Sequence, residues 1–317
     1  MSDNIGEIIF EDKELNKAVR KSRYRSIIKI ILISMVIAVT VFLVLNFISL
    51  KVTKDYSKGA YEEKLDEVKL SVPNGYISKM VDNYGFFGGT ANYTVCRFIG
   101  GRNINLEHSY VSYGILKSKI NTGGNIMLSI SSQALFDSDV KGSPYITDHC
   151  PKLQWESGYN MMLFFTPHER YVEYRNDLKN LEELPADRLI EIGLSFDKAY
   201  STDEIQSFLG NIPQSWYWIG SKKKNDFGGI IKETETVGVS SFNNLFEPYS
   251  ELLERLKKSK DKEYNNIYKD LMSKGYTDID KVPILGAIVY GTKDELKPLI
   301  GNPHIKASSF GVITSRY

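Results

Sequence analysis

Four histidines and two cysteines in 317 residues leave little material for a metal centre or a dense disulfide framework. The first 29 residues contain neither type, so that stretch carries no metal-organised module of its own. Motifs that hold catalytic groups at working distances are missing too: there is no H-E-x-x-H, no P-loop, no C-x-x-C and no G-x-S-x-G. Ser221 and Lys224 match S-x-x-K formally, but they sit in a polar loop without the companion S-D-N or K-T-G. His149-Cys150 and His168-Glu169 are adjacent pairs, and neighbours on extended backbone point to opposite faces, so neither pair chelates a metal by itself. The chain reads as a non-enzyme without metal or cofactor. A formal net charge of +1 gives no electrostatic reason for direct contact with nucleic acid.

What the chain does have is one long apolar run. Residues 30–50 carry no charge, and fifteen of these 21 positions are Ile, Leu, Val or Phe. At about 1.5 Å per residue they match a hydrocarbon core of roughly 30 Å, which predicts one transmembrane helix. No small-residue cleavage pattern follows; the exit reads Lys51, Val52, Thr53, Lys54, so the anchor is expected to stay. Lys17, Arg20, Lys21, Arg23, Arg25 and Lys29 precede the run without an intervening acid, which predicts a cytoplasmic N-terminus and a basic flank lying against lipid headgroups. In the tail, residues 1–29, Phe10, Leu15, Ala18 and Val19 fall near helical spacing and make a short apolar face for a membrane surface or a partner's groove.

Beyond the span, residues 51–72 are rich in Lys and Glu and read as a helical stalk, with Leu65, Val68 and Leu70 on it. Residues 73–167 change to Tyr, Val, Ile and Phe runs broken by Gly88-Gly89, Gly100-Gly101 and Gly123-Gly124, the texture of a β-rich domain. Cys96 and Cys150 both fall there. Either they form a disulfide, worth around 4 kcal/mol for a loop of about 55 residues, or they are two separate buried thiols.

Residues 171–317 read as an α+β domain with an internal echo: STDEIQSFLGN at 201–211 against TKDELKPLIGN at 292–302. Ser201 and Thr292 each stand three positions before a glutamate, a capping box, and Gly210 and Gly301 stand where each helix should stop. Strands expected at 188–196 and 214–219, and at 283–290 and 305–313, flank the two helices. The unit is β-α-β used twice, which pairs most simply as a ferredoxin-like sheet with helices on one face. Residues 242–272, with Leu245, Tyr249, Leu252, Leu253 and Leu256, add an amphipathic helical region. Trp216 and Trp218, two apart on one strand, share a face that either packs the core or forms a platform for a flat ligand such as a sugar.

Several separated blocks resemble the sigma factor regulator family, membrane-bound anti-sigma proteins of Gram-positive bacteria. They are the tail at 10–25, Pro73-Asn74-Gly75-Tyr76, Phe87-Gly88-Gly89, Ile99-Gly100-Gly101, EIGLSFDKAY at 191–200, the residues 201–208, Trp216-Tyr217-Trp218, ILGAIVYGT at 284–292 and IKASSFGVITSRY at 305–317. The resemblance implies that the tail holds an extracytoplasmic-function sigma factor, directly or through a second small membrane protein, while the outer domains respond to envelope conditions. The tail is shorter than a usual anti-sigma domain and lacks the zinc-binding set of many of them. A membrane-anchored binding module for cell-wall material is the alternative.

Overall fold

A computed structural model describes the backbone of residues 3–115, 153–171, 174–222, 230–240 and 248–315, with side chains from Leu15 onward. One long apolar N-terminal helix leads into a β-rich region, an α+β architecture as the composition predicts.

Helix α1 runs unbroken over Asp3–Ser71, 69 residues and so about 100 Å. No glycine pair or proline interrupts it, and tail, span and stalk are one rod. Among the described residues it is the one helix long and apolar enough to cross a membrane, and none of its most apolar window is buried.

At Val72 to Gly75 the chain turns back on the rod. Asn74 supports the reversal with a φ of 54°. Strand β1 (Gly75–Gly85) then descends along α1, β2 (Gly88–Ile99) climbs, and β3 (Arg102–Gly114) descends again, in an antiparallel sheet of order β1-β2-β3. Eleven residues of β1 cover roughly 36 Å, and the helix from Val72 back to Ser49 covers about the same distance. The hairpin therefore ends level with the end of the span. Tyr93 and Tyr113 on the inner face of this sheet pack with Ala60 and Tyr61 of α1.

The second sheet is antiparallel, of order β10-β5-β9-β6-β8, with β5 Arg188–Tyr200, β6 Gln214–Ser221, β8 Thr236–Ser240, β9 Ile284–Gly291 and β10 Ile305–Ser315. Helices α2 (Thr202–Leu209) and α5 (Lys293–Leu296) follow β5 and β9. Both open with a complete capping box: Glu204 N–H donates to Ser201 Oγ while Ser201 N–H donates to Glu204 Oε2, and Thr292 and Glu295 repeat the pattern. Gly210 and Gly301 take φ values of 60° and 77° where the helical segments stop. The region expected to be helical between the units holds two helices, α3 (Tyr249–Lys258) and α4 (Lys262–Ser273); Leu245 lies outside the described residues.

Alternation along β5 separates the sheet's two faces. Ile190, Ile192, Leu194 and Phe196 pack with Ile205, Leu209, Leu252, Leu256 and Leu296 of the helices. The opposite face meets a two-stranded ribbon, β4 (Leu163–Phe165) paired with β7 (Ile230–Lys232), where Met162 and Phe164 pack against Trp216, Trp218 and Ile288. Residues 153–165 thus contribute to the core of the C-terminal sheet.

Candidate functional site

The tail face is the first part of the candidate site. Ala18 and Val19 stand one turn after Leu15 on α1, all three are exposed, and Arg20, Lys21, Arg23, Arg25 and Lys29 follow, all exposed. Phe10 lies on the same helix, outside the residues whose side chains are described. An apolar patch next to a basic run offers both a groove-binding face and attraction to an acidic surface.

Where α1 leaves the apolar run, it is fastened to the β1–β2 hairpin. Phe87 N–H donates to Ser49 Oγ at 2.7 Å, Thr53 Oγ1 donates to the Gly85 carbonyl at 3.5 Å, and Ser57 Oγ donates to Asp82 Oδ2 at 2.5 Å. Ser49, Thr53 and Ser57 recur every four residues, so they line one stripe of the helix, and all three are buried. Small hydroxyl side chains let the strand approach closely and satisfy its polar groups at the same time. The hairpin loop is Phe86-Phe87, with Phe87 at a φ of 54°, a conformation that a bulky residue rarely adopts.

The C-terminal end of α1 is gripped from a second side. Arg255 of α3 pairs with Asp66, Lys260 pairs with Glu63 at 3.0 Å, and Leu70 enters the helix-face core of the C-terminal sheet.

The deepest junction is a charged one. Arg97 of β2 donates from Nη1 to Glu191 Oε2 of β5 and from Nη2 to Glu233 Oε2, each at 2.9 Å, and from Nε to the Pro73 carbonyl at 2.9 Å. Trp155 Nε1–H donates to Glu233 Oε1 at 2.6 Å, and Val312 N–H donates to Glu191 Oε2 at 3.2 Å. All three charged side chains are fully buried, and among the described residues Glu191 Oε1 has no hydrogen-bond partner. Burial pushes the Glu233 carboxyl up to about 7 against the pull of Arg97, because two carboxylates share one guanidinium away from water. Burial also works against the Arg97 charge, but Glu191 and Glu233 outweigh it and raise the guanidinium further. This node joins the turn after α1, the first sheet, the second sheet and the β7–β8 connection.

Neither tryptophan is a platform. Trp216 is 4% exposed and Trp218 is fully buried, with ring centroids 6.3 and 5.3 Å from that of Phe164. Their face looks into the β4–β7 ribbon, so the ligand-platform expectation gives way to core packing. The small cavity beside Trp216, about 30 Å³, is too tight for a sugar ring. Cys96 is buried, with Sγ 2.9 Å from both Ser78 Oγ and Asn105 Oδ1, while Cys150 lies outside the described residues, as do His149 and Lys224. Among the described residues no three His, Cys, Asp or Glu side chains come together at metal-binding distance.

Sequence reasoning missed the Arg97 node and the hydroxyl stripe. Glu191 is a lone charge inside an apolar strand, and Ser49, Thr53 and Ser57 keep a four-residue period across the end of the span; both signals are present in the sequence. Glu233 leaves no comparable trace.

Residues 16–104 match the sigma factor regulator N-terminal family and residues 181–312 match the sigma factor regulator C-terminal family. No curated protein and no solved structure matches the chain. The first match covers the basic flank, the span, β1, β2 and the start of β3, Arg97 included, and the second covers both capped helices with the two glutamates that Arg97 binds. The chain belongs to the sigma factor regulator family, as a single-pass membrane protein with the family's anti-sigma role.

Proposed function

We propose that the tail holds an extracytoplasmic-function sigma factor at the inner membrane surface, with Leu15, Ala18, Val19 and Phe10 as the contact, and that the outer sheets sense envelope conditions. The N-terminus is cytoplasmic in this reading, on the strength of the six basic residues before the span. The observation that carries it is the continuity of α1: one rod runs from the exposed apolar tail face through the membrane into a junction held by both sheets. A change in how the sheets seat on the rod is thereby delivered to the tail. A second small membrane protein completing the sigma-binding surface is compatible with so short a tail.

The C-terminal sheet is read as two copies of one β-α-β unit in a ferredoxin-like arrangement. Support comes from the strand order β10-β5-β9-β6, the antiparallel pairing throughout and the matched capping boxes.

Replacing Leu15 and Val19 by Asp tests the contact. Co-purification from membranes should lose the sigma factor, and transcription of its regulon should rise; association that survives unchanged would remove the tail from the interface. Protease added to intact protoplasts should cut the C-terminal half, and its protection would reverse the topology. The alternative of a cell-wall binding module has lost its candidate ligand face with the burial of Trp216 and Trp218.

A further inference from the structure

The β1–β2 hairpin loop carries two phenylalanines where a two-residue hairpin normally places Asn, Asp or Gly. Core packing accounts for only one of them. Phe87 is half-buried against α1 and gives its N–H to Ser49, whereas Phe86, stacked edge-on against Phe87 with centroids 4.7 Å apart, stays 50% exposed. Two more apolar side chains gather at the same level. Tyr84 is exposed one residue before Gly85, and Ile115, at the foot of β3, is exposed while its N–H bonds the Phe87 carbonyl at 2.9 Å. A Cβ on Gly114 would come within 2.3 Å of the Gly88 backbone, so the two strand ends are pressed into one blunt tip.

The height of this tip along the rod determines what it meets. Ser49 is the last residue but one of the charge-free run, and the neighbouring helix positions Phe47, Ile48 and Leu50 are exposed, as lipid-facing residues are. A tip bonded to Ser49 cannot stand clear of a membrane that the run crosses. Side chains at that level occupy the interfacial layer, where aromatic rings are favoured at the boundary between headgroups and acyl chains.

We propose that the hairpin tip is a second membrane contact: Phe86, with Tyr84 and Ile115 beside it, rests in the interfacial layer of the leaflet at the C-terminal end of the span. The occupant is lipid because the patch is continuous with the membrane-crossing surface of α1. The contact fixes the first sheet at a set depth and tilt, so that changes in that leaflet's packing act on β1 directly. It depends on the span and not on the sigma-factor reading.

The full chain reconstituted in phosphatidylcholine and phosphatidylglycerol vesicles, with and without brominated acyl chains, tests this. The parent tryptophans Trp155, Trp216 and Trp218 are buried and set the background. Phe86→Trp should add emission that brominated lipid quenches at least twofold and that iodide, present on both sides, leaves untouched. Tyr84→Trp provides an independent reading near the tip, and Lys257→Trp on α3 supplies the water reference. The proposal is overturned if Phe86→Trp and Tyr84→Trp respond to iodide as Lys257→Trp does. It is equally overturned if both quenchers fail, because a protein surface, a second copy or another chain, then covers the tip.

Discussion

The Trp216 indole lies over Gly238 on the neighbouring strand so closely that a Cβ there would approach the ring to 2.3 Å and the Tyr217 carbonyl oxygen to 2.0 Å. Gly286 repeats the arrangement beneath Trp218, where a Cβ would lie 3.0 Å from the ring and 2.2 Å from the Leu194 carbonyl oxygen. The two rings lie flat on their sheet, under the β4–β7 ribbon, because the strands beside them give up their side chains.

Gly238→Ala and Gly286→Ala should therefore each destabilise the C-terminal sheet by about 1–3 kcal/mol through overpacking. Thermal or urea unfolding of the full chain in nanodiscs measures it. A melt unchanged by either substitution would mean that the sheet has room the structure does not show.

Arg97→Met should cost about 3–5 kcal/mol, because it leaves Glu191 and Glu233 buried without a counter-charge. Adding Glu191→Leu and Glu233→Gln to it should recover much of that loss, since the penalty comes from the orphaned carboxylates. Unfolding midpoints of the single and triple variants separate the two effects. A triple variant no better than the single one would locate the cost in lost packing.

The raised Glu233 carboxyl gives stability a definite dependence on pH. Its ordinary value is 4.5 and its folded value about 7, so between these pH values the folded protein holds a proton that the unfolded chain releases. Stability from this group is accordingly full below about 4.5, falls as pH rises through 7, and is level above that. Glu233→Gln should flatten that slope. Melting points from pH 5 to 8 for parent and variant test the sign, and an identical slope in both would assign the proton elsewhere.

Ser201→Ala and Thr292→Ala should each cost about 1 kcal/mol, the ordinary worth of an N-cap. Ser201 caps with Glu204 and Thr292 with Glu295, and among the described residues the two sites share no partner, so the double variant should lose the sum. Chemical denaturation midpoints provide the check.

How much of this could be read from the sequence follows the range of the interactions. The span, both capping boxes and the four strands around the echoed helices depend on residues within a few positions of one another, and they are where periodicity and cap chemistry put them. The Arg97 contacts reach across 94 and 136 residues, so no local pattern brings Glu191 and Glu233 to one guanidinium. Trp216 and Trp218 had the right shared face, but only the β4–β7 ribbon, a pairing between distant segments, decides that the face is covered. The stalk was legible as a helix and its unbroken union with span and tail was not, because the change from apolar to charged residues looks like a boundary while the backbone continues through it.

That unbroken rod gives the molecule a phase as well as a length. Each residue added to α1 between Val19 and Ser49 would swivel the Leu15–Val19 patch by about 100° relative to the outer sheets, whereas seven extra residues, close to two full turns, would return it nearly to its original bearing about 10 Å further along. If the tail is read by a partner fixed in the plane of the bilayer, its grip should come and go with the number of inserted residues, like a key cut to one angle in its lock.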